Sequence, residues 1–100
     1  MVRMAVLYRA PDDPEAFEKR YIEGHIPIVR RYENIANMSF FKVTRALVGD
    51  SPYAYVFDAV WTDKDGWKAD MSSDAAKEAT ADAQSFATQG FDVVVMEQLA

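Results

Sequence analysis

The stretch Tyr53-Ala54-Tyr55-Val56-Phe57-Asp58-Ala59-Val60-Trp61 decides the fold. Side chains alternate across a strand, so Tyr53, Tyr55, Phe57, Ala59 and Trp61 share one face, and Ala54, Val56, Asp58 and Val60 share the other. Only Asp58 is polar. A strand through Thr62 with two apolar faces requires a cover on each side.

Upstream, Gly49-Asp50-Ser51-Pro52 is a dense turn signal that joins this strand to an extended run from Met38 to Val48. Asn34 and Asn37, which tolerate turn conformations, precede that run. Further back, Val2 to Arg9 alternates with period two and ends at Ala10-Pro11, which predicts the first strand. Asp13 followed by Pro14 reads as an N-cap and a proline at the first helical position. Phe17, Tyr21, Ile28 and Tyr32 then recur near helical spacing, opposite Glu15, Glu18, Lys19, Arg30 and Arg31. Pro27 lacks an N–H and clashes with the carbonyl of Glu23, and Gly24 weakens the same turn. The helix is therefore expected to kink or restart between Gly24 and Pro27, with His25 at the break.

Downstream, Thr62-Asp63-Lys64-Asp65 resembles a capping box with Thr62 as the cap of a short helix through Met71. Ser72 and Ser73 can cap a second segment, Asp74 to Thr88, with a stripe of Ala75, Ala79, Ala83, Phe86 and Ala87, closed by Gly90. Phe91 to Leu99 is the last strand. The order β-α-β-β-α-β predicts one domain over residues 1–100, an α+β ferredoxin-like fold with a four-stranded antiparallel sheet. Its helices cover one sheet face and leave roughly 300 to 500 Å² of the other bare, at or above what soluble monomers carry as one apolar patch. A homodimer with two sheets stacked through that face, a dimeric α/β barrel, is the expected assembly.

Composition narrows the function. Half of the 100 residues are hydrophobic and 27% are charged, the pattern of an ordered globular protein. The net charge is −5 and the eleven basic residues are scattered, Arg30 and Arg31 being the densest group, so no nucleic-acid partner is expected. No apolar run approaches the ~20 residues that span a bilayer, and the first ten residues lack the features of a signal peptide. No membrane partner is expected, and residence is expected to be cytoplasmic. The absence of cysteine excludes disulfides and thiolate chemistry, and a single histidine excludes a His-rich cage within one chain, so no metal is expected. Gly24, Gly49, Gly66 and Gly90 lie far apart and form no phosphate loop, so no nicotinamide or flavin is expected.

Val6-Leu7-Tyr8 at the end of the first strand, the helix start Asp12-Asp13-Pro14-Glu15-Ala16-Phe17, and Tyr21-Ile22-Glu23-Gly24-His25-Ile26-Pro27-Ile28 together resemble the EthD-type group of the dimeric α/β-barrel superfamily. The last segment is similar to that group's run of tyrosine, three residues, then His-x-Pro-aliphatic. The superfamily includes muconolactone isomerases, polyketide cyclases and cofactor-free monooxygenases. The resemblance covers nearly the whole chain. It implies a homodimer, no obligatory cofactor and a pocket between sheet and helices in each subunit.

His25 is the one side chain whose ordinary pKa lies near neutrality, which makes it the candidate catalytic residue for proton transfer. The competing reading has it satisfy an orphan backbone group at the Pro27 break. Tyr8 and Tyr21 could present hydroxyls to a ligand or fill the core. Asp58 could serve as a buried acid or base, or pair with Arg3, Arg9, Lys42 or Arg45 across the sheet. Phe40, Tyr55, Phe57 and Trp61 could line a small-molecule pocket, or some of them the dimer interface. Two functions follow. One is a cofactor-independent enzyme of oxidoreductase, monooxygenase, isomerase or cyclase type, in catabolic or secondary metabolism, in which His25 moves a proton on a small aromatic or lactone-like metabolite. The other is a non-catalytic small-molecule-binding accessory protein of a degradation pathway. A haem-degrading monooxygenase with His25 as axial ligand is a third.

Overall fold

The computed structural model describes residues 1–100. Four strands, β1 (Val2–Arg9), β2 (Ile35–Lys42), β3 (Tyr53–Trp61) and β4 (Phe91–Met96), form one sheet in the order β2-β3-β1-β4. Every neighbouring pair is antiparallel. Helices α1 (Pro14–Arg20), α2 (Ile26–Val29), α3 (Lys64–Met71) and α4 (Asp74–Phe86) lie on one face, which gives the ferredoxin-like α+β fold. No helix is long and apolar enough to cross a membrane.

Register assigns the faces. Val6 lies opposite Phe57 and Val93, and Tyr8 opposite Tyr55 and Phe91, so the even positions of β1 and the aromatic side of β3 turn toward the helices. Tyr55, Phe57, Ala59 and Trp61 are all buried there. These β3 aromatics therefore belong to the core under the helices, not to the open face. The open face carries Leu7, Phe41, Val56, Val60, Val94 and Met96 around a central Arg3–Asp58 pair. Phe41 is 55% exposed and Met96 40%, as a bare face demands.

The boundaries of several elements differ from the sequence reading. The second strand starts at Ile35, which pairs with Trp61, and ends at Lys42, opposite Tyr55. Beyond it one further bond, from the Val43 N–H to the Ala54 carbonyl at 2.7 Å, closes the pairing, and Pro52 has no N–H to extend it. The last strand stops at Met96, opposite Arg3, because β1 begins at Val2 and offers almost nothing further to pair. The last helix ends at Phe86, not Thr88: Ala87 is already out of the helical conformation (ψ 66°), and Gly90 takes a positive φ of 94° in the turn to β4. Asp63, not Thr62, caps α3, its carboxylate accepting from the Gly66 N–H at 2.7 Å.

The expected break near Pro27 is a π-helical turn over Tyr21–His25, continuous with α1 before it and α2 after it. The Ile26 N–H reaches back five residues to the Tyr21 carbonyl. Widening the turn relieves the clash of the Pro27 ring with the Glu23 carbonyl. It also changes which way His25 points. In an α-helix a residue four positions on is rotated by roughly 40°; the extra residue in the turn cancels that drift. Phe17, Tyr21 and His25 consequently stay in one stripe against the sheet, all buried, with the Tyr21 and His25 rings stacked at 5.6 Å.

Candidate functional site

Helix α4 meets the sheet through Ala75, Ala76, Ala79 and Ala83. Side chains with no carbon beyond Cβ cannot fill the space above Met4, Val6 and Phe57, and a cavity of about 130 Å³ remains between helix and sheet. Apart from its phenol hydroxyls, the polar groups on its wall are those of His25 and Thr80; Tyr8 and Tyr32 supply the phenols. It carries no acidic or basic wall residue other than His25.

His25 is held from both ends. Its Nδ1 lies 2.9 Å from Oδ2 of Asp82 on α4, and its Nε2 lies 3.4 Å from the Tyr8 hydroxyl. Asp82 in turn accepts both terminal nitrogens of Arg20. Burial alone would raise the Asp82 pKa, but the hydrogen bonds from Arg20 and His25 overcome this and hold it below the usual carboxylate range. A carboxylate only accepts, so the proton of neutral His25 sits on Nδ1 and the lone pair on Nε2. Burial, assisted by the Arg20 charge, lowers the His25 pKa against the opposing pull of Asp82. At neutral pH the imidazole is a free base. The Tyr8 contact is long for an O–H···N bond, which leaves the Nε2 lone pair loosely engaged.

Desolvation pushes the Tyr8 and Tyr21 hydroxyls far above the ordinary tyrosine range, so both remain donors. The Tyr21 hydroxyl is buried near Tyr8 with no well-formed hydrogen bond of its own. His25 makes its hydrogen bonds to Asp82 and Tyr8, not to a backbone group of the Pro27 turn.

Of the residues singled out in the sequence, Tyr8, His25 and Phe57 line the cavity, and Tyr21 stacks on His25 behind it. Phe40 and Tyr55 lie to one side, lining a smaller cleft with Tyr21, Ile22 and Lys42. Trp61 is fully buried away from the cavity, its Nε1–H donating to Asp70 at 2.7 Å. Asp58 is on the open sheet face, bonded by Arg3 through two hydrogen bonds of 3.0 Å. Asp82 and Arg20 escaped the sequence reading. A signal existed: Ala75, Ala79, Asp82 and Phe86 follow the apolar helical period, so Asp82 occupies a core-facing position that a carboxylate takes only with partners.

The model of the REDY-like protein HapK family matches residues 4–99. The chain belongs to that family. A curated relative, an uncharacterized 11.0 kDa protein in the thcB-thcC intergenic region of Rhodococcus erythropolis, is 25% identical over 99 residues, covering 98% of this chain and 95% of that protein. The fold implied by the EthD-type resemblance is also borne out. The crystal structure of an ethyl tert-butyl ether d (EthD) family protein from Bacillus halodurans superposes with a TM-score of 0.90 at 24% identity, over 99% of each chain. SnoaB from Streptomyces nogalater, a cofactor-independent oxygenase, shares the fold at a TM-score of 0.67 and 15% identity, over 99% of this chain and 93% of that one. A dimeric ferredoxin-like protein from Jannaschia does so at 0.77 and 15%, over 97% and 98%. Family membership fits the extent of the match, while the HapK and EthD names leave the reaction open.

Proposed function

We propose that this protein is a cofactor-independent enzyme that abstracts a proton next to the carbonyl of a small, uncharged, single-ring metabolite such as a lactone or a cyclic or aromatic ketone. The observation that carries the reading is His25, held by Asp82, at the wall of a mostly apolar cavity, with the Nε2 lone pair beside the Tyr8 hydroxyl. The carbon-bound proton passes to Nε2, its electron pair moves onto the carbonyl oxygen, and the Tyr8 O–H donates to the oxyanion that develops. Return of the proton to the same or a neighbouring carbon gives exchange or isomerisation. Size supports the ring: dry cavities of roughly 150 Å³ lined by aliphatic and aromatic side chains take up benzene, and this one is about 130 Å³. A porphyrin needs far more room, which disfavours the haem reading. The likeness in fold to a cofactor-independent oxygenase supports small-molecule chemistry on this scaffold.

Incubation with a panel of simple lactones and cyclic ketones in D₂O, followed by proton NMR, tests the proposal. Catalysed loss of a signal next to the carbonyl is expected for at least one compound that also raises the thermal midpoint. Binding across the panel without exchange overturns it in favour of the accessory-protein reading.

We also infer that two chains pair through the open sheet face into a dimeric barrel. The exposed Phe41, Val94 and Met96 support this, as does the dimeric neighbour from Jannaschia. Light scattering is expected to give twice the 11.3 kDa chain mass, and Phe41→Asp to give the single chain. A monomeric wild type overturns the inference.

A further inference from the structure

The Arg20 guanidinium occupies the space that a side chain on Gly24 would need. A Cβ built at Gly24 comes within 2.2 Å of an Arg20 terminal nitrogen and 3.0 Å of its central carbon. The same guanidinium lies over the Phe86 ring at 5.1 Å and bonds Asp82 through both terminal nitrogens. Phe86 is in turn 5.1 Å from the His25 ring. Gly24 has a helical backbone with no positive φ, so its conformation does not require glycine. What requires glycine is room.

We propose that Gly24 and Arg20 form a positioning device for His25: the missing Cβ seats the Arg20 fork on Asp82, and Asp82 so clamped orients the imidazole with Nδ1–H toward α4 and Nε2 toward the cavity. One Asp82 oxygen, Oδ2, serves both Arg20 and His25, so the two compete for it. Arg20 withholds part of the carboxylate's pull from His25 and so adds to burial in keeping the imidazole a free base. The other titratable groups facing His25 are Tyr8 from β1, Tyr21 from its own helix and, across the cavity, Tyr32. All three are neutral hydroxyls at physiological pH, so the Arg20–Asp82 pair is the charge that sets the base. The inference rests on His25 acting as the base in the proposed reaction, but its test reads the imidazole directly, so the two can fail separately.

Because His25 is the sole histidine, its ring protons and nitrogens give a single set of NMR signals in the intact protein. Arg20→Gln is expected to raise the His25 titration midpoint by about one pH unit, since the competing cation is gone and Asp82 serves the imidazole alone. Gly24→Ala is expected to shift it the same way by a smaller amount. That variant keeps its thermal midpoint or gains, because alanine is the better helix former and only the flexible end of Arg20 must move. Long-range nitrogen–proton correlations are expected to show the Nδ1–H form above the midpoint in wild type and a mixture of tautomers in Gly24→Ala. A His25 midpoint and tautomer unchanged in a folded Gly24→Ala overturns the device. If Arg20→Gln does not fold, Arg20→Lys keeps the charge without the fork; a small upward shift is expected, and no shift overturns the role of Arg20.

Discussion

His25→Gln is expected to abolish catalysed exchange, lowering its rate by about 10²- to 10⁴-fold, the range a positioned general base contributes. Glutamine retains an N–H that can donate to Asp82 but carries no lone pair of comparable basicity in place of Nε2. The cavity wall changes little, so a compound that stabilises wild type against heat is expected to stabilise the variant as well. Loss of turnover with binding retained is the signature of a group acting in the chemical step. The pH profile has a defined sign. Only the neutral imidazole accepts a proton, and burial with the Arg20 charge lowers its pKa despite Asp82. The rate is therefore expected to be level above the ordinary histidine value, near 6.5, and to fall only as pH drops through a lower midpoint. An acid limb above that value, or a His25→Gln variant with undiminished exchange, contradicts the assignment.

Asp70→Ala is the substitution expected to cost the fold most. Asp70 is 2% exposed, and its two oxygens accept from the Trp61 indole, the Glu33 and Asn34 backbone N–H groups and the Asn34 amide. It ties α3 to the end of β3 and to the chain entering β2. Alanine there strands several donors at once, and the expected loss is about 3 to 5 kcal/mol. For a domain of this size that lowers the thermal midpoint by roughly 15 to 30 °C and consumes much of the usual 5 to 15 kcal/mol of stability. Removing the exposed cap with Asp63→Ala is expected to cost only about 1 kcal/mol. Thermal unfolding followed by tryptophan fluorescence compares the two, and a fall of less than about 5 °C for Asp70→Ala contradicts the anchoring role.

The two aspartates escaped the sequence reading for the same reason. Asp70 lies three residues after Trp67, and Asp82 three after Ala79, both in register with apolar residues. Helical period alone marks such positions as core, but it cannot tell a carboxylate that has found donors from one at the stripe's edge. The donors come from distant parts of the chain: residues 33, 34 and 61 for Asp70, and 20 and 25 for Asp82. Asp58 shows the reverse. Its setting between apolar neighbours left open a functional acid or a partner for a basic residue across the sheet, Arg3 among them; it faces the open side of the sheet, where Arg3 meets it.

Local chemistry by itself determined the elements and their order, because alternation, caps and the Gly24-to-Pro27 break are read within a few residues of where they act. It determined too that a four-stranded sheet with apolar residues on both faces of β3 leaves one face to be covered. Only the tertiary structure decided which face that is, since a register shift of one residue exchanges every side chain between core and surface. It alone turned the break at Pro27 into a π turn that aims His25 at the sheet. And it alone brought Arg20, Gly24 and Asp82 together around that histidine, because the packing of α1 on α4 is set by the whole core and neither helix read alone names the partner.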